Sequence, residues 1–140
     1  MIHALDISTS ALVAQRTRLN AITGNIANVS TTRNEDGQAV PYQARHVVFE
    51  VDGNTATSDG GIGVKVSTVN IEDNEPLWRY QPGHPDAQKS GEKKGYVAYP
   101  NINVINEFVD ATEATRAYEA NLGVIEVTKS LSQQTLRIIG

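Results

Sequence analysis

The 140-residue sequence contains no cysteine, which excludes a disulfide framework, an iron–sulfur cluster, a thiolate zinc site and a cysteine nucleophile. Charged residues make up only 20% of the chain, below the about 25% of an ordinary soluble domain. Twelve Lys and Arg stand against sixteen Asp and Glu, and the resulting net charge of -4 argues against dense neutralisation of phosphates, so nucleic acid is not an expected partner. No apolar run approaches the ~18 residues of a membrane span. No basic stretch precedes an apolar one near Met1, so a general secretory signal peptide is not expected either. The five prolines all fall between Pro41 and Pro100, which leaves both ends of the chain free to be helical.

Those ends carry matching patterns. From about Ile2 to Val29, Leu5, Leu12, Leu19 and Ile26 recur every seven residues beside the row Ser8, Gln15, Ile22 and Val29. One narrow apolar stripe forms no core alone and requires a partner helix. From about Asn103 to Ile139 a second long helix is predicted, with Asn103 as N-cap. One of its rows holds Phe108, Thr115, Leu122, Lys129 and Leu136. The next holds Val104, Ala111, Tyr118, Ile125, Ser132 and Ile139, flanked by Ala117, Val124, Leu131 and Ile138. Asp110, Glu113, Glu119 and Glu126, beside Arg116 and Lys129, read as a solvated face with pairs inside the helix.

The middle of the chain changes period. Residues from Ala44 to Val51 alternate as a half-buried strand, and Ile62, Val64 and Val66 do the same before the phase slips to Val69 and Ile71, which predicts a bulge or a break. Leu77–Gln81 and Tyr96–Tyr99 are shorter strands, separated by Asp-Gly, Gly-Gly and Pro-Gly turns. The predicted class is α+β: long N- and C-terminal helices packed as a coiled coil, with a small β-rich region between them. Its divisions are 1–33, 34–100 and 101–140.

Little in the sequence points to catalysis or a cofactor. His3, His46 and His84 lie apart without the spacing of metal ligands. Gly60-Gly61-Ile62-Gly63 leads into a strand rather than a helix, so its glycines belong to a turn and not to a phosphate cradle. Ser30-Thr31-Thr32 has no base nearby and reads as the exit from the first helix. No enzyme activity, cofactor, metal or small-molecule substrate is expected. Asn20, Asn25, Asn28 and Asn121 leave two readings open: helix-end or exposed polar residues, or hydrogen bonds across packed helices that fix register.

Ser10-Ala11-Leu12 through Leu19-Asn20, followed by Gly24-Asn25-Ile26-Ala27-Asn28-Val29-Ser30-Thr31-Thr32, resembles the N-terminal signature of the bacterial flagellar rod and hook axial family. Pro82-Gly83-His84-Pro85-Asp86-Ala87, Pro100-Asn101-Ile102-Asn103 and Ala114-Thr115-Arg116-Ala117-Tyr118-Glu119-Ala120-Asn121 are similar to its proximal rod branch. The likeness runs nearly end to end. Ala11 stands where many members carry Gly, and Gln88–Lys94 looks like an insertion. The resemblance implies a structural subunit of the basal-body rod, a periplasm-spanning assembly that transmits motor torque and encloses the export channel. It further implies copies of itself and other rod proteins as partners, with delivery by the flagellar type III export apparatus.

On this reading the assembly interface comprises Leu5, Leu12, Leu19, Ile22, Asn25, Ile26 and Asn28 on the first helix. On the second it comprises Phe108, Tyr118, Asn121, Leu122, Ile125 and Leu136. These helices would fold as neighbouring subunits bury the two stripes against each other. A different rod protein of the family, or a coiled-coil adaptor unrelated to flagella, is the alternative.

Overall fold

The computed structural model describes residues 2–140. Helix α1 (Ile2–Ala27) opens the chain, and α2 (Val104–Ile139) closes it. Between them lie two antiparallel hairpins: β1 (Arg45–Asp52) with β2 (Gly63–Ile71), and β3 (Leu77–Tyr80) with β4 (Tyr96–Tyr99).

The helices pack on each other within one chain. Asn25 reaches Glu107, and the Arg18 guanidinium lies 3.9 Å from Asp110 and 3.6 Å from Glu113, so the two run antiparallel. These ion pairs correct the expectation that Asp110 and Glu113 serve pairs inside their own helix. In this structure α1 and α2 meet within a single chain.

On α2 the covered side alternates in steps of three and four: Val104, Glu107, Ala111, Ala114, Tyr118, Asn121, Ile125, Thr128 and Ser132, each buried or half-buried. The Val104–Ser132 row read from periodicity therefore faces the seam. Its companion is the small and polar row Glu107, Ala114, Asn121 and Thr128, not the Phe108 row. Small residues let the axes approach closely, and Ala114 is fully buried.

The lengths do not match. With 26 residues α1 spans roughly 39 Å, and with 36 residues α2 spans roughly 54 Å, at 1.5 Å per residue. Extending the register set by Arg18 and Asn25 puts Ile2 opposite roughly residue 129. Beyond that point α2 has no helix beside it among the described residues, and every residue there except Ser132 is exposed. The Asn103 side chain accepts from Ile105 and Asn106 N–H, which caps α2 as predicted.

Hairpin β1–β2 lies on another side of α1. Val48 pairs with Thr68 and Phe49 with Val66, leaving Ser67 as the extra residue of a bulge where the phase slip predicts one. Gly60, at φ 86, makes the expected turn. Gly63 does something else: a Cβ there would lie 2.5 Å from Thr55 Oγ1 and 2.7 Å from Ser10 Oγ. The Ser10 hydroxyl accepts from Val64 N–H at 3.0 Å, so the missing side chain lets strand and helix touch. Hairpin β3–β4 contributes Val97 and Ala98 to the core, which is otherwise Ala14, Ile22, Ala44 and Ala114. The 88–94 segment folds back over it, with Lys93 Nζ 5.5 Å from the Trp78 ring centre.

Candidate assembly interface

Asn25 is completely buried and uses its whole amide. Its Nδ2 donates to Arg45 O at 2.9 Å and to Glu107 Oε2 at 3.2 Å. Its Oδ1 accepts from Arg45 N–H at 2.8 Å and from the Tyr42 hydroxyl at 3.1 Å. One side chain thereby ties α1 to the start of β1 and to the first turn of α2. Of the two readings open for the asparagines, Asn25 takes the cross-element one. Asn28 instead ends its own helix, donating to Gly24 O at 2.8 Å and accepting from Thr31. Asn121 bonds back to Ala117 O at 2.8 Å, and Asn20 is exposed.

A second tie joins the chain leaving α1 to the β3–β4 hairpin. The Thr32 hydroxyl donates to Asp86 Oδ2 at 2.7 Å, and Arg33 Nε donates to Oδ1 at 2.6 Å. The Thr32 hydrogen bond is the main cause holding the Asp86 carboxyl below the usual aspartate range. Arg33 and His84 add to it, and desolvation opposes them. His84 Nδ1 accepts from Asp86 N–H at 3.0 Å, so this histidine shapes its turn.

The residues singled out for assembly sort into three groups. Ile22 and Asn25 are buried, and Leu5, Leu12, Leu19, Ile26, Asn28, Tyr118, Asn121 and Ile125 are half-buried. Phe108, Leu122 and Leu136 are 58%, 41% and 67% exposed and face away from the intrachain seam. They share that exposure with Val124, Leu131 and Ile138, so apolar rows flank both sides of the seam on α2. These rows are exposed apolar surface and take no part in the core of the chain. Sequence reasoning missed Ala14, Arg18, Glu107 and Ala114 in the packed region. The signal available was the three-and-four spacing of small residues along α2.

Two family models match the chain. Residues 5–33 fit the model described as flagella basal body rod protein, and residues 93–138 fit the C-terminal model of the flagellar basal body rod FlgEFG proteins. Both helical ends are thus those of the flagellar rod class, and full-length relatives narrow the class to one branch. The flagellar basal-body rod protein FlgC of Borreliella burgdorferi is 41% identical, over 99% of this chain and 97% of its own. The FlgC protein of Salmonella typhimurium is 40% identical over the same shares, and that of Bacillus subtilis 36% identical over 97% and 96%. The chain belongs to the FlgC family of flagellar basal-body rod proteins. It is a structural subunit of the basal-body rod.

Proposed function

We propose that α1 and α2 form the inner, coiled-coil layer of the rod, with 34–100 as an outer β-rich layer. The observation that carries this reading is the pair of exposed apolar rows on α2, Phe108, Leu122 and Leu136 on one flank and Val124, Leu131 and Ile138 on the other. A helix already packed on one side and apolar on both flanks is built for further helices. The partners are copies of this chain and other axial proteins, and the flagellar type III export apparatus delivers the subunit. The assembled rod transmits torque and surrounds the export channel, and the subunit performs no catalysis. The polar cluster around Asn25 is consumed by internal bonds that hold the fold together.

Leu122→Asp tests the reading at an exposed position, where the fold tolerates a charge, and Leu12→Asp tests the half-buried stripe of α1. Each should abolish rod incorporation and swimming while Leu122→Asp leaves the circular dichroism of the purified chain unchanged. A double variant that swims normally overturns this assignment of the interface.

A further inference from the structure

The free end of α2 and a depression at the far end of the molecule carry matching apolar and oppositely charged side chains. Beyond roughly residue 129, α2 carries Leu131, Leu136 and Ile138, 53%, 67% and 86% exposed. Its only charged side chains from Lys129 onward are Lys129 and Arg137. The helix end is therefore apolar and basic.

The depression lies where α1 ends, in the angle between that helix, the following loop and β2. It is open, about 710 Å³ in volume, and its floor includes Gly24, Asn28, Tyr42 and Ile71. Gly24 gives the floor no side chain, and Ile71 presents an apolar surface that is 60% exposed. Glu35 and Asp36 stand on its rim, and Asp73 and Glu75 line the adjoining hollow. None of these four acids is paired with a lysine or arginine among the described residues. Of the two arginines that also line the depression, Arg33 is paired with Asp86, and Arg45 lies over the Tyr42 ring at 5.9 Å and keeps its charge, one cation against the four acids.

We propose that the free end of α2 of one copy seats in this depression of a second copy, Lys129 and Arg137 facing the acidic rim. The inference rests on the rod reading above and names the contact between successive subunits. Its logic is geometric as well as electrostatic. The two surfaces sit at opposite ends of α1, roughly 39 Å apart, so the contact joins unlike patches head to tail. Contacts of that kind do not close on themselves in pairs; unless a ring forms, they propagate into a helical array. Helix-in-groove docking of this sort uses apolar anchors for affinity and charge for orientation.

The absence of native cysteine makes the test clean. Ile138→Cys/Ile71→Cys and, as control, Ile138→Cys/Val51→Cys are introduced into a strain lacking its own copy of this subunit, with the unsubstituted chain alongside. Val51 is 71% exposed and lies at the other end of the hairpin, outside the depression. On oxidation of assembled basal bodies, the first pair should give covalent dimers and higher multimers, and the control pair none. Lys129→Glu/Arg137→Glu should reduce swimming at least tenfold, and Glu35→Lys/Asp36→Lys in the same chain should restore part of it.

If the unsubstituted chain restores swimming but the Ile71 pair gives no multimers, or the Val51 pair gives as many, the docking is overturned and the rod reading stands. Bands joining Ile138→Cys only to a different axial protein overturn it equally. If the unsubstituted chain fails to restore swimming or enter basal bodies, the rod reading falls, and this inference with it.

Discussion

The two halves of α2 share one seven-residue pattern and meet different fates. From Val104 to about Thr128 the helix lies along α1, anchored at its first turn through Glu107 and Asn25 and then through the carboxylates around Arg18. From Lys129 onward the repeat continues through Leu131, Ser132, Leu136 and Ile138 with no helix beside it among the described residues. The difference teaches that periodicity specifies a face without specifying whose face it meets. Helix is sustained in the free half because propagation from a packed half is inexpensive once nucleation is done. Covering a Leu or Ile there contributes ~1.5–3 kcal/mol each. On the proposed rod reading that gain is left for a neighbour.

The comparison can be broken at its anchored end. Asn25→Leu leaves Arg45 N–H and C=O, the Tyr42 hydroxyl and Glu107 without their partner. It should lower unfolding free energy by about 3–5 kcal/mol in urea titrations, since each stranded buried polar group costs ~1–3 kcal/mol and part is recovered by water. Ala114→Leu, at the fully buried crossing of the helices, should cost about 1–3 kcal/mol by overpacking. A thermal midpoint unchanged by that substitution would show that the seam is looser than described.

Smaller effects sharpen the contrast. The Asp86 carboxyl is held below its ordinary value of 3.8, so it contributes stability that is fully present above that value and is lost as pH falls through the lowered one. Asp86→Asn should therefore be less stable than the parent at neutral pH, with the gap closing in acid, as paired melts from pH 7 to pH 2 would read. At the free end, Leu136→Ser and Ile138→Ser should change the stability of the isolated chain by no more than about 0.5 kcal/mol. Trypsin should cut at Lys129 and Arg137 before any site in α1, a sequence that mass spectrometry of early fragments would establish.

How legible this was depended on whether a residue answers to its neighbours in sequence or in space. The extent of both helices, the Asn103 cap, the strand positions and the Ser67 bulge all follow from local periodicity and capping chemistry, which act within a few residues. The row through Phe108, Leu122 and Leu136 drew attention because it is apolar, yet the intrachain seam uses Glu107, Ala114, Asn121 and Thr128. Hydrophobicity marks where a helix can be covered, and within this chain the row through Phe108, Leu122 and Leu136 is left exposed. Glu107 was invisible because its partner, Asn25, is 82 residues away and nothing local distinguishes a buried glutamate from an exposed one. Gly63 read as a turn glycine because the hydroxyl it must clear belongs to Ser10, on a helix the strand meets only in three dimensions. Family membership, by contrast, was legible almost throughout, since its motifs are contiguous.

The four-way bonding of Asn25 has a mechanical consequence. Arg45 begins β1, Glu107 lies in the opening turn of α2, and Asn25 sits two residues from the end of α1. A sideways load on the hairpin therefore enters both helices at one point near their shared end, close to the chain reversal. Two parallel beams pinned together there share the load as axial push and pull, which is far stiffer than bending either beam alone. The amide acts as a shear pin, and its removal would turn one stiff composite strut into two flexible rods.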